Sequence, residues 1–163
     1  MSVPRPLKGR QCEAGKCLKS RGSPVEPLGL STVTYDASTH TVTYTRRDGT
    51  VAGSFPANNI TNRTSNGSSP NGTFNRVGLN AHPESDANGP YGSHGIITFD
   101  VPGRTGMGLH SGRADRGAQN HPTLGCIRTT DAAMEAVREL ERTDSATSMN
   151  VINNDPNAFR QGT

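Results

Sequence analysis

The stretch STVTYDASTHTVTYTRRDGTVAGSFPA, residues 31–57, decides the fold. In three short runs, Val33–Tyr35, Val42–Tyr44 and Val51–Phe55, apolar residues alternate with polar or small ones. A period of two places successive side chains on opposite faces of a strand. Turns are supplied by DAST and by Asp48-Gly49, a pair in which both residues tolerate positive φ. The stretch therefore predicts a strand meander in which each strand turns one face to the core.

Further strands and one helix are predicted downstream. The motif SPNGTF predicts a turn before a short strand starting near Thr73, and residues 78–94 read as a loop. The β-branched run GIITF, residues 95–99, predicts a buried strand with TGMGLH, residues 105–110, as its partner. SMNVIN, residues 148–153, predicts a last strand.

The helix is predicted from TTDAAMEAVRELER, residues 129–142. Thr130 can cap its first turn, and Asp131 suits the positive end of the helix dipole. Met134, Val137 and Leu140 form an apolar stripe at helical spacing. The predicted fold class is mainly β with one or two short helices.

Length and composition predict one domain. The chain has 163 residues, of which 19 are Gly and 11 are Pro, and only 30% are hydrophobic, which favours short strands joined by many turns. The pattern divides the chain into an irregular N-terminal leader over residues 1–28, a folded domain over 29–155 and a flexible tail over 156–163.

The charge pattern argues against two classes of partner. The formal net charge is +3, but the basic residues are scattered and form no basic helix, so we expect no nucleic-acid partner. No apolar run reaches the length of a membrane span, and MSVPRPLKGR is not followed by the apolar segment of a secretory signal. A mild positive charge equally suits a polyanionic matrix.

The chain has three cysteines, which cannot all pair with each other. Cys12 and Cys17 lie in CEAGKC, a spacing open to a small disulfide loop, a metal site or neither. Cys126 is left over. A single Cys is most often buried and inert, but an unpaired one is also a candidate nucleophile.

The neighbours of Cys126 in GLHSGRADRGAQNHPTLGCIRTTD, residues 108–131, favour the nucleophile. Gly125 lets the backbone approach a ligand and lets successive amides point towards an oxyanion. Arg128 supplies a cation that could depress the thiol pKa or hold a substrate carboxylate.

A thiol nucleophile needs a base, and His110 is the better of two nearby candidates. His110 ends a predicted strand, which fixes its ring, and Ser111 can offer a carbonyl or hydroxyl oxygen to Nδ1. His121 is closer to Cys126 in sequence but is interpreted as a cleft-wall or surface group.

The other three histidines lie further from Cys126 in the sequence. His40, in a predicted turn, and His82, in a Pro-rich loop, are expected at the surface. His94 precedes the GIITF strand, where it could line a cleft.

The segment HSGRADRGAQNHPTLGCIR resembles the signature of the L,D-transpeptidase catalytic domain, the YkuD-like family. In that signature a His followed by Gly or Ser is separated by a loop from a Ser/Thr-x-Gly-Cys-x-Arg/Asn block, which residues 123–128 fill in order. Upstream, VTYTRRDGTVAGSFPA resembles the early hairpins of the family, and SPNGTF resembles its Thr-Pro-x-Gly-x-Phe turn. The resemblance extends from Leu30 to about Val151.

The resemblance implies a β-sandwich with a cleft, and it implies roles for individual residues. Cys126 would be the nucleophile, His110 its base and Ser111 the residue that orients the base through its carbonyl. The amides of Gly125 and Cys126 would form the oxyanion hole. Arg128 would steady the site or a substrate carboxylate. Together with the positions noted from the sequence itself, the predicted substrate-binding residues are Arg128, Thr123, His94, His121 and Arg113.

The implied activity is acyl transfer on peptidoglycan stem tetrapeptides through a thioester. An amine acceptor would give a crosslink or D-amino-acid exchange, and water would give L,D-carboxypeptidase activity. No metal or organic cofactor is expected. The site of action would be the periplasm or cell wall.

Two features depart from the family pattern. Leu124 stands where a His or Lys often precedes the Gly, which removes a polar group near the cleft. No secretory signal is seen in this sequence. Either the signal has been trimmed from the given chain, or the protein is an antibacterial effector that a specialised secretion machine, such as the type VI system, delivers to a target cell, with an immunity protein as a further partner.

Three other readings stay open at the sequence level. A papain-like peptidase also uses Cys and His, although there the Cys comes first in the chain. His110, His121 and Cys126 could hold zinc, although their spacing matches no common zinc pattern. The domain could also be a wall-binding module that has kept the fold without catalysis.

Overall fold

A computed structural model describes residues 29–62, 65–80 and 86–155. The predicted leader and tail, Cys12, Cys17 and His82 lie outside the described residues. The division of the chain into leader, domain and tail therefore stays a prediction.

The described residues form eight strands, one α-helix and two single 3-10 turns. The strands are β1 (Thr32–Asp36), β2 (Thr41–Thr45), β3 (Val51–Asn58), β4 (Gly72–Asn80), β5 (Ile96–Phe99), β6 (Gly108–His110), β7 (Ile127–Thr129) and β8 (Ser148–Ile152). The helix is α1 (Asp131–Thr143), and the 3-10 turns are Ala114–Arg116 and Ala118–Asn120. The mainly β fold class is confirmed.

The strands pair around a complete circuit in the order β1-β2-β3-β7-β6-β5-β4-β8, so that the sheet closes into a barrel. Two neighbouring pairs are parallel, β1 with β8 and β6 with β7, and the remaining pairs are antiparallel. Closure leaves neither β1 nor β8 as an unpaired edge.

The predicted meander forms β1, β2 and β3. Val33, Tyr35, Val42 and Tyr44 are at most 1% exposed and face the barrel interior. The turn at Asp48-Gly49 forms, but of these two residues only Gly49 has positive φ. Just before the turn, the register of the β2–β3 pair shifts between Tyr44 and Thr45. As a result the inward alternation expected at Val51 fails, and this side chain is exposed.

Two strands differ from the sequence prediction. β4 continues to Asn80, beyond the predicted loop start at residue 78, because Gly78, Leu79 and Asn80 pair with β5. β7 was not predicted, because Ile127–Thr129 follows directly on the motif around Cys126 and its strand is defined by pairing with β3 and β6. Its short pairing with β6 nevertheless positions the candidate site.

Helix α1 begins and packs as predicted. Thr130 accepts a hydrogen bond from the Ala133 amide at 3.1 Å, and Met134 and Val137 are buried. Glu141, which the apolar stripe did not predict as buried, accepts hydrogen bonds from Tyr44 Oη and the Ala146 amide. This carboxylate anchors the helix to β2. No helix within the described ranges is both long and apolar enough to cross a membrane.

Candidate active site

A cavity of about 300 Å³ lies where β6 ends and β7 begins. His110 and Cys126 both line it. The full lining is Asn62, Pro90, Tyr91, His110, Arg113, His121, Pro122, Thr123, Leu124, Cys126 and Arg128. The sequence analysis did not single out Asn62, Pro90 or Tyr91.

The parallel pairing of β6 with β7 brings the two candidate catalytic residues together. His110 is the last residue of β6 and pairs with Arg128, while Cys126 directly precedes β7. Neighbouring strands lie about 4.8 Å apart, so groups at these positions face one cleft. The loop over residues 111–126 spans the distance between them along the chain.

His110 is held in one orientation. The ring is 2% exposed, and its Nδ1 lies 2.6 Å from the Ser111 carbonyl oxygen. A carbonyl oxygen only accepts, so Nδ1 carries the proton and Nε2 of the neutral ring is an acceptor. The ring of Tyr91 packs edge-on against the imidazole, with centroids 5.1 Å apart. A proton taken up at Nε2 would leave the bond from Nδ1 to Ser111 in place.

Ser111 is anchored in turn by the start of α1. Its hydroxyl donates to Asp131 Oδ1 at 2.7 Å, and the Ser93 amide donates to the same oxygen at 2.9 Å. Burial raises the pKa of Asp131, but the hydrogen bonds from Ser93 and Ser111 outweigh it and the net pKa lies below the usual range. Asp131 therefore remains a carboxylate at neutral pH.

The Cys126 thiol is partly buried, with Sγ 3.5 Å from the Gly106 carbonyl oxygen. Burial raises the pKa of the thiol, and this effect exceeds the opposing effects of a Gly108 hydrogen bond and the Arg128 charge. The Arg128 charge thus lowers the thiol pKa, as expected from the sequence, but burial raises this pKa by more. At neutral pH the group is a thiol and not a thiolate.

The loop before Cys126 is held by Thr123. Its Oγ1 accepts a hydrogen bond from the Gly125 amide at 3.1 Å and donates to the Cys126 carbonyl oxygen at 2.7 Å. The Gly125 amide, expected in the oxyanion hole, is therefore already engaged. It would have to leave Thr123 before it could meet an oxyanion.

Asn59 supports the same loop from the protein interior. Its Nδ2 donates to the carbonyl oxygens of Gly125, at 2.7 Å, and of Cys126, at 2.8 Å. No sequence pattern marks this role, because Asn59 belongs to the polar stretch NNITNRTSNGSSPNGTFN, which reads as a loop. It is in fact 1% exposed.

Arg128 is a buried cation on the cavity wall. It is 4% exposed, Nη2 donates to the Pro90 carbonyl at 3.2 Å, and Nη1 lies 3.5 Å from the His121 carbonyl. Its Nε has no hydrogen-bond partner, and no ion pair joins it to a carboxylate among the residues that the structure describes. Burial, and then the charge of Arg113, lower the pKa of Arg128 to about 10.

The remaining predicted substrate-binding residues fall into two groups. Arg113, His121 and Thr123 line the cavity, and burial followed by the Arg128 charge lowers the pKa of His121. His94 does not line it. Its Nε2 lies 3.6 Å from Asp131 Oδ2, and its role in substrate binding stays a prediction.

The zinc hypothesis finds no support in the arrangement of side chains. In the described part of the chain, no group of three or more His, Cys, Asp or Glu residues could hold a metal ion. His110, His121 and Cys126 line one cavity without forming such a group.

A comparison with protein families matches residues 31–144 to the L,D-transpeptidase catalytic domain, YkuD. This range contains every candidate site residue named above. A comparison with curated proteins found no match.

Solved structures resemble the chain in fold. An L,D-transpeptidase from Stackebrandtia nassauensis is 15% identical with a TM-score of 0.54, covering 85% of this chain and 63% of that one. One from Mycobacterium smegmatis is 19% identical with a TM-score of 0.51, covering 74% and 58%. The ertapenem-acylated catalytic domain from E. faecium is 17% identical with a TM-score of 0.51, covering 76% and 98%.

At these levels of sequence identity, the similarity to the solved structures shows the fold alone. The chain spans about three fifths of the length of several L,D-transpeptidase structures.

Proposed function

Because the chain belongs to the family of L,D-transpeptidase catalytic domains, we propose that it is an acyltransferase that acts on peptidoglycan stem tetrapeptides through a thioester on Cys126. One observation carries the proposal. Cys126 and His110 line the same cavity, and the Ser111 carbonyl fixes the imidazole so that Nε2 can accept a proton. This is the arrangement that a thiol nucleophile and its base require.

Acylation begins from a neutral pair. Because burial raises the pKa of Cys126, the thiol keeps its proton until Sγ attacks the carbonyl carbon of the L-residue. The proton passes to His110 Nε2 as the S–C bond forms, and the resulting imidazolium keeps its Nδ1–H bond to the Ser111 carbonyl. The negative charge moves to the substrate oxygen.

Collapse of the tetrahedral intermediate completes the first half of the reaction. The C–N bond breaks, His110 Nε2 returns its proton to the leaving amine, and a thioester remains on Sγ. An acceptor amine then attacks the thioester, loses a proton to Nε2, and the thiolate leaves and is reprotonated. Water in place of the amine would yield the free acid. No step requires a cofactor.

Arg128 and Arg113 suit a substrate carboxylate. Arg128 is buried on the cavity wall with an unpartnered Nε, and the cavity lining contains no Asp or Glu. A buried cation without a counter-charge is costly, and a bound carboxylate would offset that cost. His121 and Thr123 would complete the wall of this subsite.

The test is the reaction of purified protein with a stem tetrapeptide, with and without an acceptor amine, followed by mass spectrometry. Wild-type protein should show a Cys126 adduct smaller than the substrate by the leaving D-amino acid. Cys126→Ala should lose at least about a thousandfold in turnover, because no other group replaces the nucleophile. The exposed Leu124→Ala variant is a control for the rim of the cavity and should retain the adduct.

Retained turnover in Cys126→Ala with an unchanged melting temperature would refute the proposal. Product masses also separate the crosslinked, exchanged and hydrolysed forms.

We further propose the cell wall as the site of action. Delivery as an effector and an immunity partner stay predictions from the sequence alone.

A further inference from the structure

Asn59 has an amide side chain whose orientation is unambiguous. Its Oδ1 accepts from the Ser69 backbone amide at 2.5 Å, an atom that only donates. Its Nδ2 faces the carbonyl oxygens of Gly125 and Cys126, atoms that only accept. Asn59 thus bonds both peptide groups that flank the candidate nucleophile.

Asn59 acts from behind the cavity. It is 1% exposed and is not part of the cavity lining, so it cannot contact the substrate. In a trans peptide group the N–H points opposite to the C=O. Holding the Gly125 carbonyl oxygen towards Asn59 therefore directs the Cys126 N–H away from Asn59. Because Thr123 engages the Gly125 amide, the Cys126 amide is the donor that this loop can offer to an oxyanion.

We propose that Asn59 is a positioning residue for acyl transfer, which holds the Cys126 peptide groups so that the Cys126 N–H meets the oxyanion. The inference rests on the proposed acyl-transfer function of Cys126. It assigns a second task to a side chain that also joins the Ser69 turn to Asn154, whose Nδ2 donates to Asn59 Oδ1 at 2.9 Å.

The two tasks can be separated by substitution. Asn59→Asp keeps an oxygen for the Ser69 amide and for Asn154, but it sets a carboxylate oxygen against the carbonyl oxygens of Gly125 and Cys126. Asn59→Ser removes the same two bonds without adding charge, but it also removes the Oδ1 acceptor of the Ser69 amide and Asn154. Asn154→Ala removes the bond to Asn59 Oδ1 and leaves both bonds to the nucleophile loop.

The experiment compares two reactions of the same thiol. Acylation by p-nitrophenyl acetate passes through an oxyanion, whereas alkylation by iodoacetamide displaces iodide at a saturated carbon and forms no oxyanion. Asn59→Asp and Asn59→Ser should lower the acylation rate by about 100-fold, the cost of a misplaced catalytic group. The alkylation rate, corrected for thiolate fraction from its pH profile, should stay nearly unchanged.

Asn154→Ala should lower the melting temperature while the ratio of acylation to alkylation stays at the wild-type value. Melting curves of all variants identify any that fail to fold, and Asn59→Ser then replaces Asn59→Asp. The proposal is overturned if folded Asn59 variants lose both rates in parallel, if they lose neither, or if Asn154→Ala lowers the ratio equally. Since p-nitrophenyl acetate is not a wall peptide, failure with stem tetrapeptides alone would count only against the proposed function.

Discussion

Burial sets the protonation state of Cys126, and the hydrogen bond to Ser111 sets the tautomer of His110. The thiol keeps its proton because burial disfavours the thiolate. In a neutral imidazole, the bond from Nδ1 to the Ser111 carbonyl makes Nε2 the acceptor. Burial therefore opposes a resting pair of thiolate and imidazolium. Proton transfer would accompany attack on a substrate instead of preceding it.

This resting state predicts the pH dependence of thiol reactivity. The alkylation rate of Cys126 with iodoacetamide should rise with pH to a midpoint above that of free cysteine in the same buffer, because burial raises the thiol pKa. Arg128→Gln should move the midpoint higher still, since the Arg128 charge lowers this pKa. A wild-type rate that is already maximal at mildly acidic pH would contradict the neutral pair.

At the residue scale, the sequence singles out the proposed catalytic pair more readily than the residues that support it. His110 and Cys126 stand out because their residue types and the glycine beside the thiol suit the chemistry. Asn59 does not, because its two carbonyl partners lie 66 and 67 residues further along the chain. Whether the Gly125 amide is free or engaged likewise depends on the χ1 rotamer of Thr123, which composition does not determine.

Helix α1 is the element that orients His110 through Ser111, although it contributes no group to the cavity. Asp131, its first residue, accepts the Ser111 hydroxyl and the Ser93 amide on one oxygen. The carboxylate also lies at the positive end of the helix. The start of one helix thus links the loop before β5 to the end of β6.

Asp131→Ala should lower the free energy of unfolding by about 1–3 kcal/mol, because two donors lose their acceptor. Asp131→Asn keeps an acceptor oxygen and should lose less. The pKa of Asp131 is lowered in the fold, so its charge-dependent stabilisation is present above the usual carboxyl pKa and is lost as pH falls below it. Urea titrations at pH 7 and in acid measure these effects, and equal losses in both variants would argue against the acceptor role.

At the element scale, the sequence predicted every strand except β7. The meander strands and α1 repeat their period several times, whereas β7 has three residues and its place follows from pairing with β3 and β6. Val51 shows a different error, because its strand was predicted but its side chain is exposed. A single register shift in the β2–β3 pair leaves an apolar side chain outside the core despite the correct alternation.

The whole barrel encloses two tyrosines whose hydroxyl groups are out of contact with water. Tyr35 accepts the Asn59 amide, and Tyr44 donates to Glu141. Burial raises the pKa of Tyr35 to about 12, and burial together with the Glu141 charge raises that of Tyr44. Both side chains remain protonated in the folded barrel at pH values where an exposed tyrosine ionises.

The fold should therefore lose stability in alkali. The unfolded tyrosines ionise near pH 10 and the folded ones do not, so Tyr35 alone should lower the free energy of unfolding by on the order of 2 kcal/mol as pH rises from 9 to 12, and Tyr44 should add to this loss. Urea titrations across this range provide the measurement. In Tyr35→Phe the slope should be shallower, and a slope as steep as that of the wild type would exclude Tyr35 as a source.

Barrel closure was beyond reach of the sequence pattern. Periodicity predicts strands but not their neighbours, and the parallel contact between β1 and β8 joins residues more than a hundred positions apart. The implied β-sandwich supplied the class of the fold, while the circuit of hydrogen bonds emerged only from the three-dimensional pairing.

The position of β8 bears on how the protein is made. Ser148–Ile152 fills the gap between β1 and β4, so a nascent chain that has not yet released these residues from the ribosome exposes two unsatisfied strand edges. Such edges recruit other chains and favour misassembly. Residues 110 and 126 leave the ribosome earlier, but the barrel can close only after β8 has also emerged.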